Sequence, residues 1–221
     1  IDNAIDEVIN GYGNEIKVVI NKDNSLTIED HGRGVPIGMH ASGKSTPEVV
    51  YTILHAGGKF EELGYKVSGG LHGVGASVVN ALSKFMDVTI YKDGLISNIK
   101  FADGGKVKEP LHPIGKSNKT GTTVTFLPDP EIFKNCNFSY TTICERMQEN
   151  AFLIDGLTAI VEDALDGKKA TYHYEKGLIE FVSYINDGRQ ILHKPVSFSD
   201  IKNDIEVNVA FQYTDSYNEN I

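Results

Sequence analysis

Four of the seven residues in Gly69-Gly70-Leu71-His72-Gly73-Val74-Gly75 are glycine. That is more than packing needs, and it is what a chain requires where a ligand lies directly on its backbone. Behind the glycines, residues 76–85 carry Val78, Val79, Leu82 and Phe85 at three-and-four spacing, which predicts a helix burying those residues. Glycines feeding a helix N-terminus offer backbone N–H groups and the positive end of the helix dipole, an anion site suited to phosphate. A flexible surface loop accounts for the same glycines, and the stretch alone does not choose between the two.

A carboxylate at a strand end is the second candidate. Residues 26–29 read as a strand running into Asp30-His31-Gly32-Arg33-Gly34-Val35-Pro36. Asp30 could accept a hydrogen bond from a nucleobase, and the two glycines would let a flat ligand lie against the chain; a plain turn also explains the glycines. Further upstream, residues 1–10 place Ile1, Ile5, Val8 and Ile9 on one stripe and Asn3, Asp6, Glu7 and Asn10 opposite, with Asn3 and Glu7 one turn apart. This predicts a helix stopped by Gly11, its polar side a solvated face unless a magnesium site asks for it.

A third stretch is a decoy. Gly38-Met39-His40-Ala41-Ser42-Gly43-Lys44-Ser45 matches the G-x-x-x-x-G-K-[ST] phosphate loop letter for letter. That loop needs a buried strand against its first glycine, and Gly32, Gly34 and Pro36 cannot form one. Thr46-Pro47-Glu48 instead reads as an N-cap with proline at the first helical position, opening a helix over 48–55.

The elements that must position these residues alternate without repeats. Residues 16–20 and 26–29 form a hairpin; 87–92 and 95–101 form another around Asp93-Gly94; 122–127 add a strand. Thr142-x-x-Glu145 predicts a capped helix with Ile143, Met147 and Ala151 inward, and 157–162 with 170–174 a further hairpin. The polar, glycine-rich residues 57–66 read as a mobile lid. The segregation of strands from helices predicts an α+β layer pair with a mostly antiparallel sheet. A helix over 178–186 and a strand over 205–213 are not needed by that core, so a boundary falls near Lys176, giving domains 1–176 and 177–221.

Composition narrows the classes. A chain of 221 residues that is 40% hydrophobic can bury one core and the start of a second. No apolar run is long enough for a membrane span and no leader precedes the first element, so a cytoplasmic protein without a membrane partner is expected. Cys136 and Cys144 have no metal or disulfide spacing. A net charge of −9 argues against this chain gripping nucleic acid by itself.

An Asn/acid helix, an Asp before G-x-G and a glycine-rich lid feeding a helix, in that order, resemble the GHKL (Bergerat) nucleotide fold of type II topoisomerases, heat-shock chaperones, MutL-type repair proteins and sensor histidine kinases. Within it, Asp2-Asn3-Ala4-Ile5-Asp6-Glu7, Asp30 through Pro36, Leu54-His55-Ala56-Gly57-Gly58-Lys59-Phe60 and Tyr65 through Gly75 resemble the bacterial family of gyrase B and the topoisomerase IV ATPase subunit, ParE, over the whole chain. Asn10-Gly11-Tyr12-Gly13-Asn14-Glu15-Ile16 and Val209-Ala210-Phe211-Gln212-Tyr213 are more similar to the topoisomerase IV branch than to gyrase B.

The resemblance implies a two-layer sandwich, helices on one face of a mixed sheet, followed by the beginning of a transducer α/β domain. It implies ATP and Mg²⁺ as cofactors, with Asn3 as the metal ligand. Asp30 would take the adenine amino group, with Thr122 beside it sharing a water. Gly70, Leu71, His72, Gly73, Val74, Gly75 and Ala76 would wrap the phosphates and Lys59 would add a mobile charge. Glu7, Arg33, Gly34 and Pro36 would line the pocket wall, where ATP-competitive inhibitors also bind; Glu7 with Arg33 could equally be a structural ion pair. Lys92 stands where many relatives have an arginine. The family's general-base glutamate falls ahead of Ile1, and its γ-phosphate lysine beyond Ile221, so binding without turnover is expected of these residues. The intact enzyme implied is an ATP-dependent strand-passage enzyme with DNA held by other domains, a topoisomerase IV A subunit in an A2B2 assembly, and ATP-dependent dimerisation. A gyrase B fragment or a non-topoisomerase clamp or chaperone module is the alternative.

Overall fold

The computed structural model describes residues 1–54, 73–203 and 205–216. Helix α1 (Asp2–Ile9) buries Ala4, Ile5 and Val8 as its stripe predicts. Its polar side departs from expectation, because Asp6 and Glu7 are buried as well while Ile9 is 39% exposed. The expected solvated face is therefore inward at Asp6 and Glu7, while Asn3 stays exposed.

Strands β1 (Glu15–Ile20) and β2 (Leu26–Asp30) form the expected hairpin, with Ile16, Val18 and Ile20 alternating inward. Helix α2 (Thr46–Thr52) starts earlier and ends sooner than predicted: Ser45, not Thr46, is the cap, its hydroxyl accepting the Glu48 N–H at 3.4 Å.

Helix α3 (Gly75–Ala81) is shorter than predicted and turned the other way. It buries Ser77 and Asn80, leaves Val78, Val79 and Leu82 36–38% exposed, and yields Phe85 to strand β3 (Ser83–Lys92). The cause is the contact it makes with α2. The Asn80 amide donates to the Tyr51 carbonyl at 2.8 Å in a buried setting, a contact an aliphatic seam could not supply.

Strand β4 (Leu95–Ala102) follows a two-residue turn in which Asp93 and Gly94 both have positive φ (51° and 78°), the backbone twist that suits a hairpin. Strand β5 (Lys106–Lys116) was not expected, since Pro110 and Pro113 argue against a strand. It is tolerated because it lies at the sheet edge and pairs only with β4, through register shifts. Strand β6 (Gly121–Pro128) precedes helix α4 (Tyr140–Leu153), whose cap is Ser139, three residues before the predicted Thr142; Ile143, Met147 and Ala151 point inward as predicted.

With β7 (Thr158–Asp163) and β8 (Lys168–Tyr172), the sheet has the order β5-β4-β3-β6-β2-β1-β7-β8, antiparallel except for the β1–β7 pair. Register places Ile99, Val88, Val124, Ile28, Val18 and Val161 in one row across six strands, on the face that the helices cover. Two clusters fill the space beneath them. α1 and α4 pack over β1, β2 and β7, and Tyr51 of α2 packs over Met86, Val88, Ile90, Ile99 and Phe101. Burying each such aliphatic or aromatic side chain contributes roughly 1.5–3 kcal/mol.

Helix α5 (Leu178–Ile185) is joined to α4 by Phe152, whose ring lies 3.6 Å from Tyr174 and 5.1 Å from Phe181. Strands β9 (Val196–Lys202), which was not expected, and β10 (Ile205–Phe211) form a separate two-stranded sheet. Among the described residues no helix is long and apolar enough to cross a membrane.

Candidate functional site

The β2–β6 register sets Asp30 directly opposite Thr122. Asp30 Oδ1 accepts the Gly32 N–H at 2.9 Å from its own corner and the Thr122 N–H at 3.3 Å from the neighbouring strand. Its Oδ2 accepts no hydrogen bond among the described residues. Burial pushes this carboxyl up to about 6, with the Glu7 charge adding to the effect and the two N–H groups opposing it. Burial, with the Asp30 charge adding to it, also holds the Tyr51 phenol well above its ordinary range.

Two glycines make the corner possible. Gly121 has φ +138°, and a Cβ there would overlap the Asp30 carbonyl oxygen; Gly34 has φ +72°, and a Cβ there would stand 2.7 Å from the Tyr91 oxygen. Sequence reasoning marked Gly34 but missed Gly121. Its only signal was a lone glycine opening a strand, and its role emerges only when β6 is laid against β2. Val35 and Ile37 pack onto the second cluster, which holds Pro36 between them at the corner's exit.

Glu7 and Arg33 meet across this corner. The Arg33 backbone N–H donates to Glu7 Oε2 at 2.7 Å, its Nε to the same oxygen at 3.2 Å and its Nη2 to Oε1 at 2.9 Å. Gly32 permits the approach, since a Cβ there would sit 2.6 Å from Glu7 Cγ. Lys92 Nζ donates to the Arg33 carbonyl at 2.9 Å, and the guanidinium carbon lies 4.0 Å above the Tyr12 ring. Neither Tyr12 nor this use of Lys92 was legible in the sequence.

Asn3 is exposed on α1, one turn before Glu7, and its amide makes no hydrogen bond among the described residues. No group of three His, Cys, Asp or Glu among the described residues could hold a metal by itself. Of the glycine stretch, Gly73 has φ +61°, Val74 occupies the N-cap of α3 without a side-chain cap bond, Gly75 opens the helix and Ala76 packs on the second cluster. The expectations for Lys59, Gly70, Leu71 and His72, and for the lid, lie outside the described residues.

The decoy loop does other work. Met39 bridges to Ser45, the residues before Gly38 are not a strand, and Lys44 pairs with Glu48 at 2.9 Å on the first turn of α2. Two cavities, about 360 Å³ beside Phe152, Tyr174 and Tyr184 and about 410 Å³ beside Asp200, Lys202 and Val207, are not lined by any residue of the Asp30 corner. Donor geometry, not cavity size, marks the site.

A helix-backed mixed sheet with an acid fixed at the end of a central strand defines a class. The chain belongs to the histidine kinase-, DNA gyrase B- and HSP90-like ATPase family, whose sequence profile matches residues 1–132. Among curated proteins it is 55% identical over 224 residues to the B subunit of DNA topoisomerase 4 from Staphylococcus aureus strain Mu50, and equally to that of strain MRSA252, covering 100% of this chain and 34% of each relative. The chain thus spans about a third of the length of these relatives. Among solved structures it is similar to the 43K ATPase domain of Thermus thermophilus gyrase B in complex with an aminocoumarin, with TM-score 0.85 and 39% identity over 98% of this chain and 56% of that one.

Proposed function

We propose that these residues form the ATP-binding part of the ATPase subunit of a type II DNA topoisomerase of the topoisomerase IV kind. The observation that carries the reading is the Asp30 carboxylate, held through Oδ1 by Gly32 and Thr122 with Oδ2 turned to no protein donor among the described residues. Such an acceptor suits the amino group of adenine and opposes the carbonyl oxygen of guanine, so it selects ATP over GTP. Thr122 stands beside it to share a water with the base.

The family resemblance supplies the roles of the other residues. Glu7 and Arg33 hold the pocket wall rigid, with Gly34 and Pro36 continuing it. Gly70 through Ala76 supply backbone N–H groups to the phosphates, and Lys59 adds positive charge there. Asn3 fits Mg²⁺: a single hard amide oxygen suits an ion that keeps most of its octahedron for water and phosphate oxygens, and nothing among the described residues competes for that amide. When bound, the ion would neutralise phosphate charge.

In the whole protein this unit, residues 1–176, would pass closure to a transducer beginning in 177–221. ATP-dependent dimerisation, an A subunit in an A2B2 tetramer, DNA held by other domains and a cytoplasmic location complete the proposal. ATP-competitive inhibitors would occupy the adenine corner. The test is decatenation by the full-length protein with its A subunit. ATP-dependent unlinking is expected; ATP-dependent negative supercoiling instead would assign the chain to gyrase, and no ATP-dependent strand passage would end the topoisomerase reading.

A further inference from the structure

We propose that Tyr12 is a positioning residue for the base-recognition corner, acting through the Arg33 guanidinium; this rests on the nucleotide-site reading above. Tyr12 lies in the turn between α1 and β1, a place that gives it no periodic signal and no part in either core cluster. Its ring is nevertheless occupied. The guanidinium carbon of Arg33 sits 4.0 Å over it, within the range of a cation–π contact.

The contact closes a loop of three residues. The Tyr12 N–H donates to the Glu7 carbonyl at 2.8 Å, the Glu7 carboxylate takes Arg33 through its backbone N–H and two guanidinium nitrogens, and the guanidinium returns to the Tyr12 ring. Glu7 takes an edge of the planar guanidinium. The Tyr12 ring adds a contact at its face. The turn lies against the corner, since a Cβ at Gly13 (φ +74°) would stand 2.6 Å from the His31 carbonyl oxygen, and it is tied down where the Asn14 carbonyl accepts the Thr158 N–H at 2.7 Å.

What Tyr12 steadies reaches the base acceptor in two bonds. Arg33 is the next residue after Gly32, and the Gly32 N–H is the shorter of the two donors that orient Asp30 Oδ1. Arg33 is held on its far side by Lys92 Nζ at its carbonyl. Tyr12, Glu7 and Lys92 thus restrain Arg33 from three directions, and of these only Tyr12 acts through a π face. Among the described residues Tyr12 hydrogen-bonds through its backbone nitrogen and not through its phenol hydroxyl.

The test is calorimetric titration of a non-hydrolysable ATP analogue with Mg²⁺ into the 221-residue chain and its Tyr12→Phe and Tyr12→Leu variants, each checked by thermal melting. Tyr12 is 40% exposed, so both variants should fold. Tyr12→Leu should weaken binding about 2–5-fold, the range of an exposed to half-buried cation–π contact, and Tyr12→Phe should bind like wild type. In an Arg33→Gln background Tyr12→Leu should have no further effect, which a general packing role would not give. Wild-type affinity in Tyr12→Leu, an equal loss in Tyr12→Phe, or additive losses in the double variant would overturn the inference. If the wild-type chain binds no nucleotide, the function reading fails instead. The Arg33 Nε–H resonance then still decides the contact: Tyr12→Leu should relieve a ring-current shift that Tyr12→Phe keeps, and an unmoved resonance would overturn it.

Discussion

The backbone N–H of Thr122 reaches the Asp30 carboxylate at 3.3 Å, joining residues 92 apart in the sequence. The acid is thereby fixed by two strands at once, β2 through its own corner and β6 through Thr122, and it cannot turn without breaking a bond to one of them. A carboxylate pre-set in this way loses little freedom when a base arrives.

Its acidity gives a prediction with two opposite signs. Burial lifts the Asp30 carboxyl to about 6 from an ordinary value of 3.8. The folded chain therefore binds a proton that the unfolded chain has released between those values, and this group's contribution to stability is present below about 3.8 and lost as pH rises through about 6. Nucleotide binding runs the other way, since only the ionised acid accepts at both oxygens. Affinity for an ATP analogue should fall as pH drops from about 7.5 to about 5. Asp30→Asn should raise the melting temperature of the unliganded chain at about pH 8, a gain that shrinks toward about pH 5; thermal unfolding at the two values checks it.

The Glu7–Arg33 pair should behave as one unit. Its side chains are only 12% and 23% exposed, so removing one partner leaves a charge in a poorly solvated place. Arg33→Ala should destabilise the fold by about 3 kcal/mol, toward the lower end for a buried pair because Arg33 is partly wet. The Glu7→Gln, Arg33→Ala double variant should lose less than the sum of the single losses. Urea unfolding of the four chains measures this coupling directly.

The two phosphate-loop candidates are separable by mutation. Lys44 is engaged with Glu48 on the surface, so Lys44→Ala should leave nucleotide affinity within about twofold, the scale of an exposed ion pair. Gly73 has φ +61°, a conformation that a β-branched residue resists, so Gly73→Val should nearly abolish binding. Fluorescent-nucleotide titration of both variants decides between the loops.

Gly121 carries a sharper demand than Gly32 or Gly34, the two glycines of this corner marked from sequence. Because a Cβ there would overlap the Asp30 carbonyl, Gly121→Ala should push β6 from β2, destabilising the chain by about 1–3 kcal/mol and weakening ATP-analogue binding beyond that of Lys44→Ala. Melting and titration of one preparation would report both.

The legible parts of the molecule were those with a local signature. The 93–94 turn, the β1–β2 hairpin and the inward residues of α4 all followed from spacing within a few residues. The candidate acid was legible for the same reason, as an Asp ending a strand before G-x-G. What escaped depended on distant partners. The helix pattern put Glu7 on a solvated face, and only the family resemblance set it against Arg33, while Gly121 shows its role only through its register with Asp30. β5 was hidden by prolines that an edge tolerates. In α3 the valines pointed the periodicity one way, while the hydrogen bond from Asn80 to Tyr51 turned the helix another.

The proposed base selection rests on Asp30. Calorimetric titration of Mg²⁺-loaded, non-hydrolysable ATP and GTP analogues into wild type and Asp30→Ala, near neutral pH with both chains shown to be folded, tests it most directly. A clear preference for the ATP analogue is expected, with a loss of about 10–150-fold in Asp30→Ala, the worth of a hydrogen bond to a charged acceptor. An Asp30→Ala affinity within about twofold of wild type, or equal binding of the two analogues, would contradict it.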